Sequence, residues 1–140
     1  MADQTLTPHR LRELTLEFTR AFNDNDLDKV MSYFTDDAVY DQFDGTAATG
    51  RDAIRAAFAP QFAGDFGRME FIEEDLFVDG DAGRALISWL CTFDTKQGKA
   101  GWRGLDILHF DDRGHITRKL TYAKAKQLQL QSAGHGQATA

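Results

Sequence analysis

Little in this chain can cross-link it, kink it or draw it to an anionic surface. One cysteine, Cys91, stands among 140 residues, so no disulfide can form within the chain. That usage fits a reducing cytoplasm, and a lone cysteine on an apolar strand reads as a small core residue. Acidic residues outnumber basic ones, 22 to 16, for a net charge of −6. The balance argues against nucleic acid or an anionic membrane as a partner. No segment approaches the roughly 20 apolar residues of a membrane span, and the opening MADQTLTPHR has no apolar signal-peptide core. His9 and His115 sit at element edges with no carboxylate or histidine at ligand spacing, so no metal site is expected. GDAG and DRG read as turns without a phosphate-binding context, and no Ser–His–Asp or Cys–His pattern has local support. No cofactor is expected.

What is present suits one soluble domain with a real core. The hydrophobic fraction is 42% and the charged fraction 27%, both ordinary for a globular chain. We expect one domain over residues 1–126. From Gln127 the composition turns to Gln, Ala, Gly and Ser, and a flexible tail is expected there, with His135 in it.

Helices come first. Residues 7–24 carry Leu11, Leu14, Phe18, Ala21 and Phe22 on one face, with Thr7 as cap and Pro8 at the first position. After the NDND turn, Asp26 caps a short helix bearing Leu27, Val30, Met31 and Phe34. DDAVYDQFDG reads as a short strand entering a loop. Thr49 with Asp52 resembles a capping box for a third helix through Ile54, Ala57 and Phe58, which Pro60 ends or kinks. Strands follow at 69–79, 84–94, 102–110 and 115–125, with TKQGKAG as a loop and DDRG as a hairpin turn. Helices followed by strands imply an α+β fold, with helices on one face of a curved antiparallel sheet.

One strand poses a chemical question. In WRGLDILHF, alternation puts Trp102, Gly104, Asp106, Leu108 and Phe110 on one face, and Arg103, Leu105, Ile107 and His109 on the other. Asp106 therefore falls among apolar groups, where a charge is costly unless paired or neutralised. Either function keeps it there, or it forms an ordinary ion pair with a neighbouring strand. Leu105 and Ile107 leave the opposite face apolar, which suggests that something covers it.

Three stretches, AFNDNDLDKVMSYFTDDAVY, TGRDAIRAAF and WRGLDILHFDDRGHITRKLTY, make the chain resemble the nuclear transport factor 2-like superfamily. The resemblance spans roughly residues 8–124, and its nearest branch is that of SnoaL-like polyketide cyclases and ketosteroid isomerase. It implies a cone-shaped curved sheet wrapped by three N-terminal helices, a cystatin-like roll, enclosing an apolar pocket. It also implies a homodimer formed through the outer sheet face. Phe18, Phe22, Tyr40, Phe58, Trp89, Trp102, Phe110 and Tyr122 are the expected pocket-lining residues, with Phe34 and Phe62 as further wall or core. Aromatics at such spacings also serve simply as packing.

The resemblance assigns candidate catalytic roles residue by residue. Asp106-Ile107-Leu108-His109-Phe110 matches the isomerase pattern Asp-x-apolar-x-Phe, which implies a protonated aspartic acid donating to an enolate oxygen. The isomerase's tyrosine donor falls on Phe18, which cannot donate; Tyr33, Tyr40 or Tyr122 would have to replace it. The isomerase's base falls on Asp41 after a one-residue deletion, and on Gln42 without one. Limonene epoxide hydrolase, another branch, would need an arginine at Gly104 and an aspartate near Thr121, and both are missing. Two readings follow. One is a cofactor-free acid/base isomerase or aldol-type cyclase acting on a polycyclic or polyketide-like molecule, with Asp106 and Asp41 catalytic. The other is a non-catalytic small-ligand-binding or dimerisation module on the same fold. Nuclear transport rests on the superfamily name alone.

Overall fold

The computed structural model describes residues 6–65 and 67–124; the expected tail and His135 lie outside them. Nine elements follow in chain order: α1 Pro8–Asn23, α2 Leu27–Ser32, β1 Phe34–Asp41, β2 Ala47–Thr49, α3 Arg51–Phe62, β3 Glu70–Asp79, β4 Arg84–Thr95, β5 Gly98–Phe110 and β6 Ile116–Ala123. The six strands form one curved sheet in the order β2-β1-β6-β5-β4-β3. The α+β class stands, with one correction: β1 and β6 pair in parallel, so the sheet is mixed. A strand from the helical half closes onto the last strand, and that return cannot be made by a hairpin.

Local signals explain most boundaries. The Thr7 side chain accepts a hydrogen bond from the Arg10 amide, with Pro8 at the start of α1. Asp26 caps α2 through the Lys29 amide. The capping box expected for α3 does not form: Gly50, at φ 90°, stands at its N-cap with no side-chain hydrogen bond. Pro60 lies inside α3, which runs to Phe62 and does not end at the proline. TKQGKAG is not a long loop either. β4 and β5 extend through it as a hairpin down to the Thr95–Gly98 pair.

The core lies between helices and sheet. Leu11, Leu14, Phe18, Ala21 and Phe22 of α1 are buried against Val30, Met31, Phe34, Ile54, Phe58, Leu108 and Ile116. The rings interlock edge to face, Phe18 with Phe22 at 5.1 Å, Phe18 with Phe34 at 5.6 Å and Phe22 with Phe58 at 5.1 Å. Each such ring gains about 2–3 kcal/mol from leaving water. Edge strand β3 is fastened to α1 by Asn23. Its amide donates to the Phe71 carbonyl at 2.9 Å, and its oxygen accepts from the Phe71 amide at 2.7 Å. The acidic centre of β3 carries a register shift between Glu73 and Asp75, which interrupts an otherwise long open edge.

Candidate active site

Between helices and sheet lies a cavity of about 220 Å³. Its deep end is built from buried side chains: Phe18 and Phe22 from α1, Tyr40 from β1, Phe58 from α3, Trp89 from β4, Asp106 from β5, and Lys119 and Thr121 from β6. Alternation delivers the sheet residues. The register pairs Trp89 with Gly104 and Asp106 with Thr121, which sets the polar groups side by side on the inner face. The sequence split of WRGLDILHF into two faces holds from Asp106 to Phe110.

Asp106 is 8% exposed and every observed partner is a donor. Thr121 Oγ1 donates to Oδ1 at 2.6 Å and Trp89 Nε1 donates to Oδ2 at 3.1 Å. Lys119 Nζ lies 3.1 Å from Oδ1 and donates to Thr121 Oγ1 at 2.7 Å. This is a surrounding for an ionised carboxylate, which only accepts. The protonated donor implied by the isomerase pattern is therefore not what these neighbours favour.

Lys119 is 4% exposed, and its ammonium is boxed by aromatic faces. Nζ lies 4.4 Å from the Tyr40 ring centroid, 5.5 Å from Phe58 and 5.8 Å from Phe22. Burial pulls its pKa down, but the Asp106 carboxylate and then Tyr40 more than offset this, and the net direction is up. The lysine is thus held as a cation and is a poor amine nucleophile.

Gly104 has a steric duty. A Cβ there would meet the Tyr122 carbonyl oxygen at 2.5 Å and the Trp89 ring at 2.7 Å. Trp89 lies over the position where the epoxide hydrolase pattern requires an arginine. The indole that fixes Asp106 and such an arginine cannot share that space.

Of the expected lining residues, Phe18, Phe22, Tyr40, Phe58, Trp89 and Trp102 line the cavity. Two others do not. Phe110 is packed in the main core, and Tyr122 is 52% exposed. The register shifts in β6, so that His109 pairs with Arg118 and Phe110 with Ile116, leaving Thr117 as an extra residue. A bulge of one residue exchanges the two faces of the strand. Lys119 and Thr121 turn inward as a result, and Tyr122 turns outward.

Asp41 is placed away from the cavity. It pairs with Arg118, whose Nε and terminal nitrogen donate to Oδ2 at 3.1 and 2.7 Å. Gln42, the next residue, lines the cavity beside Tyr40. A role for Asp41 as base beside Asp106 therefore has no geometric support. The sequence reading missed Lys119, Thr121 and Thr19. Lys119 follows Arg118 in ITRKLTY with no local mark of its own, and simple alternation from Ile116 points it outward.

Cys91 and His109 do not line the cavity. Cys91 is fully buried, and burial pushes its thiol up to about 12. His109 is lowered by desolvation and by the positive charges of Arg84 and Arg118. Among the described residues no three His, Cys, Asp or Glu side chains gather as a metal site, and no helix is long and apolar enough to cross a membrane.

Comparisons with known proteins bear on this frame. SalBIII, an epoxide hydrolase/cyclase-like enzyme with a role in pyran ring formation in the polyether salinomycin, superposes with a TM-score of 0.73 at 16% identity. The match covers 83% of this chain and 92% of SalBIII. A candidate polyketide cyclase from Xanthomonas campestris pv. campestris gives a TM-score of 0.70 at 22% identity, over 82% of this chain and 90% of its own. Bal32a, from a soil-derived mobile gene cassette, gives 0.71 at 17% identity, over 83% and 90%. At these identities the likeness speaks for the fold. A search of curated proteins finds no match. The model of the SnoaL-like domain matches residues 15–119, from α1 to the lysine of the pocket, and the chain belongs to that family, within the nuclear transport factor 2-like superfamily.

Proposed function

We propose that the protein binds a small, largely apolar carbonyl compound in this cavity and moves a proton on it without a cofactor. Asp106 is the base. The observation that carries this reading is a buried carboxylate fixed by Trp89, Thr121 and Lys119 on the wall of an otherwise aromatic cavity. Oδ1 takes both Thr121 and the lysine, whereas Oδ2 takes the indole alone and keeps acceptor capacity. Oδ2 removes the proton next to the carbonyl, and the C–H electron pair passes through the new C=C bond to the carbonyl oxygen. The Lys119 charge offsets the enolate field, and Tyr40 and Gln42 lie on the same wall as donors. Return of the proton to another carbon completes an isomerisation. Attack of the enolate carbon on a second carbonyl, whose oxygen takes the Asp106 proton, completes an aldol-type ring closure.

The cavity volume is below the roughly 300 Å³ at the low end for sites that engulf drug-sized ligands, so a polycyclic ligand would extend through the mouth. A non-catalytic binding module is the second reading, favoured by the three donors, Trp89, Thr121 and Lys119, that already hold Asp106. Deuterium exchange decides between them. The protein in D2O should speed α-proton exchange of 2-cyclohexenone, followed by proton NMR, and Asp106→Asn should lower that rate by about 10²–10⁴. Exchange at the buffer rate with wild-type protein would leave the binding module.

Two copies of the chain pairing through the outer sheet face also belong to this proposal. A buried, unreactive thiol suits the reducing cytoplasm expected from the composition.

A further inference from the structure

The burial of the lining residues divides the cavity into a closed end and a mouth. Phe18, Tyr40, Phe58, Trp89, Asp106 and Lys119 are all buried, whereas Phe43 and Pro60 are exposed and Gln61 is half-buried. Phe43 is the unexpected member. It is 50% exposed at the tip of the turn that joins β1 to β2, outside the main core. Yet the turn is well fastened. The Gln42 amide donates to the Thr46 carbonyl at 2.8 Å and the Gly45 amide to the Gln42 carbonyl at 3.0 Å. Asp44 Oδ1 accepts from both the Thr46 amide at 3.0 Å and its hydroxyl at 2.7 Å. The ring is held over a fixed place.

That place is beside Trp102. The Phe43 and Trp102 rings lie 5.5 Å apart and tilted by 47°. Trp102 in turn meets Trp89 edge to face at 5.1 Å, and Trp89 donates to Asp106. A continuous aromatic wall therefore runs from the mouth to the carboxylate. At the mouth its rings are neither stacked nor edge-on, and one is half in water. Among the described residues the Phe43 ring is exposed and Trp102 only half-buried, so the tilted pair keeps aromatic surface for a ligand.

We infer that Phe43 and Trp102, packed against each other, form a one-sided aromatic clamp against whose exposed surface a flat, unsaturated ring lies, and that the ligand is a ketone whose carbonyl reaches Asp106 while an aryl or fused planar ring occupies the mouth. The inference rests on the Asp106 reading for the carbonyl end only. The clamp explains how a cavity of about 220 Å³ serves a ligand larger than itself. It also assigns Phe43 as a specificity-determining residue, since a saturated puckered ring of equal size lacks the π face that the clamp can contact.

The test uses Trp fluorescence as the binding signal, because two tryptophans line the cavity. Three probes are titrated into the full-length protein: 2-cyclohexenone, 2-acetylnaphthalene and its saturated counterpart 2-acetyldecalin. The naphthyl ketone should bind at least about fivefold more tightly than each of the others. Phe43→Ala should reduce its advantage over 2-acetyldecalin by about fivefold, and Phe43→Tyr should restore it. Phe43 lies on an exposed turn, and circular dichroism and melting of each variant confirm that the fold is kept. Equal affinity for naphthyl and decalin ketones, an advantage untouched by Phe43→Ala, or no binding of the naphthyl ketone would each overturn the clamp. Failure of the two readings is distinguishable. Naphthyl preference that depends on Phe43, without α-proton exchange, keeps the clamp and removes the base. Exchange that depends on Asp106, without naphthyl preference, does the reverse.

Discussion

Asp106 and Lys119 are more costly to separate than to remove together. Lys119→Met leaves a buried carboxylate without its cation, and the expected loss is about 3–5 kcal/mol of folding stability, measured by urea unfolding. Asp106→Leu alone should cost a similar amount by stranding the ammonium among Tyr40, Phe58 and Phe22. The double variant Asp106→Leu/Lys119→Met fills the same space with apolar groups, and should recover most of the loss while losing α-proton exchange entirely. Such a protein, stable but inactive, would show that the pair is kept for chemistry. A double variant as unstable as the sum of the singles would show that it is kept for folding. Cys91 gives the pH prediction at this scale. Burial pushes its folded thiol up to about 12 from its ordinary value of 9.0. The unfolded chain therefore binds fewer protons between these values, and the Cys91 contribution to stability falls as pH rises from about 9 towards 12. Burial both hides the folded thiol and disfavours its thiolate, so a disulfide reagent at pH 8 should label Cys91 in urea but leave the native protein unmodified over the same period.

Elements obey the local signals where a backbone group needs a partner, and depart from them where a bulge or a glycine intervenes. Thr7→Ala removes the acceptor for the Arg10 amide and should cost about 1 kcal/mol, seen as a lower melting temperature. Thr49→Ala, at the capping box that does not form, should change stability by no more than about 0.5 kcal/mol. The contrast shows what the sequence could tell. Helical spacing in α1 and strand alternation in WRGLDILHF were enough to put Phe18, Phe22, Trp102 and Asp106 on the side that lines the cavity, because regular geometry maps position onto face. Lys119 and Thr121 were not legible, since Thr117 inserts one residue into β6 and nothing in ITRKLTY marks it. Asp41 lost its place for a related reason. Tyr40 faces inward, so alternation gives the next inward place to Gln42 and sends the aspartate to Arg118. Pairing of distant strands also lay beyond local reading, and that is why the parallel β1–β6 contact was not expected.

At the scale of the molecule, the sheet has a second face that no helix covers among the described residues. Cross-strand register aligns Phe77 with Leu86, Leu86 with Ile107 and Ile107 with Leu120, an apolar row over four neighbouring strands. Phe77 is 66% exposed, and Ile72 and Tyr122 add further apolar surface on the same face. A sheet with one face on the core normally shows polar residues on the other, and an apolar patch of this kind marks an interaction surface. Charged pairs surround the row: Arg103 donates to both oxygens of Glu74, and Arg118 to Asp41. An apolar centre with a polar rim is the anatomy of a protein interface, and a symmetric pair of sheets satisfies it with a single patch used twice. Sedimentation should therefore give twice the 15.7 kDa chain mass at micromolar concentration. Phe77→Lys should shift the equilibrium to monomer, because it places a like charge opposite itself across a two-fold axis or strands it in an apolar contact. The pocket opens on the other side of the sheet, so this variant should retain α-proton exchange while the dimer is lost. A monomeric wild-type chain would instead assign the apolar row to a different partner. Loss of exchange together with the dimer would mean that pairing supports the curvature on which the pocket depends.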